Sequence, residues 1–296
     1  MKKTTIIACF TTVSLLAGCA SSATPTGDRH YSKNNSHAYN LVRAGGLNEA
    51  RDTQLADEEY SYMMSNMAGG ASTALSLSNS SGFGLSGGAS LGIGIASALL
   101  SGPGMMGRDS AFAFVPETEA SSSTDATQVI RKRFLEAAKV AAEDNEFELE
   151  VIDKILDLRL DRYRNMMVLG LTNEAIGCMA EANATNPDEV CSISLYYPEK
   201  GSTLRETPTV AKDAAGEQSY QYFAADSRYA LRTVAKLSNE LNARLGEQEA
   251  ETFRLALLTS LSSAMPDWFY IYESGKEHLP PMVLANGEME FFVTRQ

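Results

Sequence analysis

The residues that could carry out catalysis are few in the second half of this chain, and their spacing matches no catalytic pattern. A Ser-His-Asp site would depend on His278, the one histidine there. A Gly-x-Ser-x-Gly match at 84–88 lies in a Gly- and Ser-rich stretch, without the strand, turn and helix of a nucleophile elbow. Asp153, Asp157 and Asp161 have helical spacing and lie among arginines, which is more typical of a solvated, self-paired face than of a glycosidase site. No His/Cys cluster has zinc spacing, so we expect no catalytic residue, metal or cofactor.

The N-terminus has the pattern of an export signal. Lys2 and Lys3 are followed by an apolar run over residues 6–16, which then gives way to the small residues Ala17 and Gly18. A basic start, a short apolar core and a small-residue cleavage site are typical of a signal peptide. The run is shorter than the roughly 20 residues needed to span a bilayer. We therefore predict that residues 1–18 are a signal peptide.

The cleavage region also contains a cysteine in a specific context. Leu16-Ala17-Gly18-Cys19 resembles the lipobox of bacterial lipoproteins, and the resemblance covers about the first 22 residues. It implies that the thiol of Cys19 receives a diacylglyceryl group and that the freed amine is also acylated, for example with palmitate. Two or three acyl chains give stable anchoring. Ala20, in place of Asp, implies the outer membrane of a Gram-negative cell, with the protein facing the periplasm or the surface.

The charge of the mature chain limits its partners. Loss of Lys2 and Lys3 would leave 23 basic and 37 acidic residues, a formal charge of −14. Phosphate backbones bind mainly basic surfaces, so nucleic acid is a poor partner. Anionic lipid surfaces are also a poor match.

Two cysteines, Cys178 and Cys191, remain beyond the signal and the lipobox. The lipobox places them outside the cytoplasm, where a disulfide is the default state. Closing a loop of this size would stabilise the fold by about 3 kcal/mol. A metal pair or a catalytic thiol is the alternative, although no histidine lies near either cysteine in sequence.

A long uncharged segment, 60–108, lies between the N-terminal region and the rest of the chain. No charged residue occurs for 48 positions between Glu59 and Arg108. Residues spaced by four lie on one face of a helix, and small residues there allow close packing in membranes or between copies of the chain. A flexible Gly/Ser linker is the alternative interpretation. The predicted self-association stripe consists of Gly84, Gly88, Gly92 and Ala96.

The remaining patterns predict an α+β domain over 124–296, with a small antiparallel sheet packed against helices. A helix is predicted from Thr124 or Asp125, and 147–164 fits either a helix or a strand. Asn286-Gly287 between apolar runs predicts a hairpin. Strands are predicted at 166–171, 192–197, 220–223 and 268–272, and an αα-hairpin is predicted at 226–245 and 247–264.

The predicted order of segments begins with the signal peptide, 1–18. A lipid-anchored tether, 19–59, with a short helix at 50–64, leads into the Gly-rich segment, 60–108. A linker, 109–123, precedes the domain, so we expect a reach of about 100 residues from lipid to domain.

The leading functional hypothesis is a non-enzymatic envelope lipoprotein that binds protein partners, or copies of itself, in a membrane-associated assembly. An acylated cysteine followed by a Gly-rich apolar stretch is similar to conjugative surface-exclusion lipoproteins. A component of a secretion or conjugation apparatus is an equal alternative. The rival from another class is a periplasmic enzyme acting on cell-wall or envelope substrates, which needs a cleft with converging, perturbed acids.

Overall fold

The computed structural model describes residues 28–61, 108–151, 165–179, 190–224, 230–275 and 280–296. They form helices and a mostly antiparallel sheet, which confirms the predicted α+β class. The helices are α1 His37–Ala44, α2 Ser123–Asp144, α3 Lys212–Ala215, α4 Asn239–Leu245 and α5 Glu247–Ala264. The strands are β1 Thr53–Leu55, β2 Ser110–Pro116, β3 Glu148–Val151, β4 Asn165–Thr172, β5 Cys191–Tyr197, β6 Ser202–Leu204, β7 Ser219–Ala224, β8 Ala230–Lys236, β9 Phe269–Glu273, β10 Met282–Ala285, β11 Glu288–Phe291 and β12 Val293–Arg295.

The main sheet has the order β11-β10-β9-β2-β7-β8-β5-β4-β3, and β6 also pairs with β7. Its pairings are antiparallel except for the short contact between β7 and β8. These two strands run in the same direction on either side of residues 225–229, and β2 pairs with both. Strands β7 and β8 therefore join the part of the sheet from β11 to β2 to the part from β5 to β3.

Helices α2 and α5 pack against each other and on one face of the sheet. The apolar face of α2 includes Ile130 and Phe134, which are fully buried. Tyr222 on β7 fixes the start of this helix, because its hydroxyl lies 2.6 Å from Thr127 Oγ1 and 2.6 Å from the Ser123 carbonyl oxygen. The helix is capped by the side chain of Ser122, slightly before the predicted start.

The predicted linker, 109–123, is wrong over its first half. Its residues 110–116 form β2, every residue of which is buried between β9 and β7. A continuous apolar run of this length is typical of a strand buried on both faces. The domain therefore begins before residue 124.

The predicted helix at 226–245 is also wrong in its first part. Residues 230–236 form β8, where Leu231, Thr233 and Ala235 are buried alternately and pair with β2 and β5. The helix begins only at Asn239, after Ser238, whose side chain accepts a hydrogen bond from the Leu241 N–H. Of the leucines on the predicted helical stripe, Leu231 therefore lies in β8, and Leu241 and Leu245 lie in α4.

The C-terminal hairpin has the predicted form. Strands β10 and β11 pair from Met282–Phe291 to Ala285–Glu288. Both turn residues have positive φ, 51° at Asn286 and 79° at Gly287, as a type I′ turn requires. A Cβ on Gly287 would also lie 2.8 Å from the Ser263 Cβ, so close packing on α5 favours glycine here as well.

The residues from 28 to 61, named here the N-terminal arm, pack on the domain. Helix α1 buries Leu41 and Val42 completely. Gly45 follows it, and a Cβ at this position would lie 2.7 Å from the ring of Phe112 on β2. The arm thus packs on the sheet, with Phe112 of β2 close beneath Gly45.

Strand pairing holds the later part of the arm. Residues 53–55 form β1, which pairs in parallel with β12. The Thr53 N–H donates to the Phe292 carbonyl at 2.8 Å, and the Gln296 N–H donates to the Leu55 carbonyl at 3.0 Å. The predicted tether, 19–59, is therefore wrong from residue 28 onward. The predicted helix at 50–64 is wrong at 53–55, whereas residues 57–61 are helical as predicted.

Candidate functional site

The structure places only part of the predicted site residues. Cys178 and Cys191 lie among the described residues and form a disulfide with Cα atoms 5.7 Å apart. Outside the described residues lie Cys19, His278, the aspartates at 153, 157 and 161, the match at 84–88, and the stripe Gly84, Gly88, Gly92 and Ala96.

The disulfide fastens a turn to the sheet. Cys178 forms a two-way backbone bridge with Asn173, just after β4, with N···O distances of 2.7 and 3.0 Å. Cys191 begins β5 and pairs with Leu171. Both half-cystines are fully buried, and the Ser238 N–H lies 3.4 Å from the Cys191 Sγ. The pair therefore acts in packing, and in this bonded form neither sulfur is a thiol nucleophile or a metal ligand.

Among the described residues, a network of charged side chains in the interior surrounds Arg254 on α5. Its Nη2 donates to Glu273 Oε2 at 2.5 Å and to Glu251 Oε2 at 2.9 Å. Asp109 Oδ2 lies 4.0 Å from Nη1. The other Asp109 oxygen accepts hydrogen bonds from the N–H and the hydroxyl of Ser274. The network thus links α5, the end of β9 and the residue before β2.

Burial and charge act in opposite directions on this guanidinium. Burial alone would lower the pKa of Arg254, but Glu273 and Glu251 raise it above its ordinary value. Arg254 is 9% exposed and Glu273 is 3% exposed, so each ion depends on the other for compensation. The three carboxylates converge on an arginine in the interior, an arrangement suited to holding elements in place.

Side chains also fasten the N-terminal arm to the domain. Asp28 accepts two hydrogen bonds from Thr209, one from the N–H at 2.8 Å and one from the hydroxyl at 2.9 Å. His37 Nδ1 lies 2.6 Å from Glu290 Oε2, and this hydrogen bond raises the pKa of His37. The arm is thereby attached to the domain at its first described residue.

Polar residues also line an open groove beside the first turns of α2. Arg131 lies there with its guanidinium 5.0 Å from the Tyr197 ring centroid and donates to Gln128 at 2.9 Å. Thr127 donates to the Glu199 carbonyl at 3.1 Å. Among the described residues, the groove lining includes no histidine, cysteine or serine. It is lined by Thr124, Thr127, Gln128, Arg131, Asn165, Tyr197, Glu199 and Lys200.

Sequence patterns do not predict the network or the arm contacts. Arg254 and Glu273 are 19 residues apart on different elements, and His37 and Glu290 are 253 residues apart. The Asn- and Ser-rich composition before α1 resembles a tether. Its polar side chains instead cap the helix, because Ser36 accepts from the Tyr39 N–H and is itself bonded to Asp52.

Comparisons with protein-family models, with curated proteins and with solved structures found no match. Over the described ranges, no helix combines the length and apolar character needed to cross a bilayer. The same ranges contain no group of three or more acidic, histidine or cysteine side chains arranged to hold a metal ion.

Proposed function

We propose that this protein is a lipid-anchored envelope lipoprotein that acts as an interaction component of a membrane-associated assembly. Secretion, conjugation and surface exclusion are the processes that the sequence favours. Acylation at Cys19 in the Leu16-Ala17-Gly18-Cys19 motif provides the anchor, and the outer membrane is the proposed location. Protein partners in the envelope are its proposed ligands, and no nucleic acid is involved.

The packing of the N-terminal arm on the domain is the observation that carries the proposal, because it limits the distance between the domain and the lipid anchor. Eight residues, 20–27, separate Cys19 from Asp28, which contacts the domain through Thr209. A chain spans at most about 3.3–3.6 Å per residue, so the nine Cα-to-Cα steps from Cys19 to Asp28 reach at most about 30 Å. The domain of an acylated protein would thus stay close to the bilayer, where partners in the same membrane are concentrated.

Short tethering strengthens binding to a second component of the same membrane. Linking two partners raises their effective concentration, and the effect is greatest when the linker length matches the distance to be spanned. A 100-residue tether, as the sequence suggested, would favour distant partners. The short connection to Asp28 favours neighbours within the membrane plane.

The size of the native complex tests this function. Membranes extracted with mild detergent should release the protein in a complex larger than one chain plus its micelle, as measured by sedimentation with mass spectrometry of the components. Deletion of residues 82–107 separates two sources of the added mass. A smaller complex without these residues indicates self-association through the Gly-rich stripe, and an unchanged complex indicates other partners. A single chain, alone and monomeric in the extract, would overturn the proposal.

A further inference from the structure

Strand β3 forms one side of the main sheet, with β4 on its inner edge. Among the described residues, no strand pairs with its outer edge. In an antiparallel ladder every second residue directs its N–H and C=O away from its partner. Glu148 and Val151, at the two ends of the strand, have exposed side chains, so no described element covers these ends of β3. Such an edge is a template for pairing with another extended chain.

Acidic side chains line this edge. Glu148 and Glu150 lie on the same face of β3, and both are exposed. Three further exposed acids precede the strand, at the end of α2 and in the turn that follows it. They are Glu143, Asp144 and Glu146.

Exposed apolar side chains also occur on β3, on α2 and after the turn that follows β4. Val151 on β3 is 49% exposed, and Val140 on α2, one turn before the acids, is 44% exposed. Met179 is 47% exposed and follows the turn that includes Asn173, whose side chain donates to the Glu146 carbonyl at 2.9 Å. An apolar surface with charged neighbours is typical of an interaction site.

We propose that the outer edge of β3 binds an extended basic segment of a protein partner, which adds to the sheet as a further strand. This inference rests on the proposed function and specifies the chemistry of its partner. Main-chain hydrogen bonds to β3 would provide affinity, and alternate side chains of the added strand would provide specificity. Lysine or arginine at every second position would lie opposite Glu148 and Glu150, with apolar residues between them near Val151.

A second copy of this chain fits the edge poorly. Two β3 strands paired antiparallel about Leu149 would place Glu148 of each opposite Glu150 of the other. Pairing about Glu150 would place the two copies of Glu150 opposite each other. Like charges directly opposite across strands are destabilising, so the edge favours a basic partner.

Peptide binding to the purified full chain in detergent tests this surface. The probe is a labelled six-residue peptide of alternating Lys and Val, and its counterpart has Glu in place of Lys. We expect the Lys peptide to bind and to slow amide hydrogen exchange at residues 148–151, while the Glu peptide does not bind. The double variant Glu148→Lys/Glu150→Lys should weaken binding about tenfold, since it replaces two favourable cross-strand pairs by two repulsive ones.

A matched variant separates the edge from overall charge. Glu58→Lys/Glu117→Lys makes the same change in net charge at exposed positions away from β3. It should bind the Lys peptide within about twofold of the unchanged chain. Equal weakening by both double variants, binding of the Glu peptide, or unchanged exchange at 148–151 would overturn the inference. If the unchanged chain does not bind the Lys peptide but its native complex is intact, only this surface is overturned. If the protein is monomeric in the membrane extract, the proposed function is overturned.

Discussion

Replacing Arg254 with Met is expected to lower the free energy of unfolding by about 3–5 kcal/mol, the cost of leaving one partner of a buried ion pair uncompensated. Glu273 is 3% exposed and lies 2.5 Å from the guanidinium. Without Arg254 its carboxylate would remain charged in the interior or take up a proton, and both outcomes cost free energy. Urea unfolding of the full chain, followed by the fluorescence of Trp268, the one tryptophan, measures the loss.

The same substitution at an exposed arginine is the control. Arg133 pairs with Glu119 at 3.2 Å and with Glu136 at 3.7 Å, and its side chain is 45% exposed. Surface ion pairs contribute about 0–1 kcal/mol, so Arg133→Met should have a small effect. The double variant Arg254→Met/Glu273→Met should recover part of the loss, because it removes both buried charges. An effect of Arg254→Met no larger than that of Arg133→Met would contradict the role assigned to the network.

Removing the disulfide has the second large effect. The variant Cys178→Ala/Cys191→Ala should unfold with a free energy lower by about 3 kcal/mol, the chain-entropy value for a loop of about this length. The bonded residues are 13 apart in sequence and fully buried. The loss should appear in the same urea unfolding measurement.

Reduction provides an independent check of the disulfide. A thiol reductant should destabilise the unchanged chain by a similar amount and leave the double alanine variant unaffected. Equal sensitivity of both chains, or none in either, would contradict a structural disulfide between Cys178 and Cys191.

Local signals predicted the parts of the fold that depend on local geometry. Asn286-Gly287 marked the C-terminal hairpin because few residue pairs adopt positive φ at two successive positions. The pairing of Cys178 with Cys191 followed from the compartment and the count of cysteines. The hairpin prediction needed no knowledge of the distant chain, whereas the cysteine prediction depended on the lipobox at 16–19.

Tertiary pairing decided the parts that sequence patterns missed. Leu231 and Val234 fit a helical stripe with Leu237, but pairing with β5 makes residues 230–236 a strand. Strand β2 is buried on both faces, so it lacks the alternation that marks a strand with one solvated face. The partners of β2 lie more than 100 residues away, and nothing in its own sequence identifies them.

The arm and the ionic network were missed for a related reason. Polar residues such as Ser36 and Asp52 are typical of disordered tethers, yet the Ser36 side chain caps α1 and its hydroxyl donates to Asp52. The short apolar run of α1 is stable only where the sheet covers it. Arg254 and Glu273 acquire their importance from burial, which composition does not reveal.

Acylation of Cys19 is the premise on which the proposed function depends, and it can be measured directly. Cells grown with labelled palmitate should yield a labelled mature protein whose N-terminal peptide begins at Cys19 and carries the mass of its acyl groups. Cys19→Ala should be unlabelled and should retain residues 1–18, whereas the control Cys9→Ala, inside the predicted signal peptide, should be labelled and cleaved normally. An unlabelled unchanged chain, or label that persists in Cys19→Ala, would contradict the account.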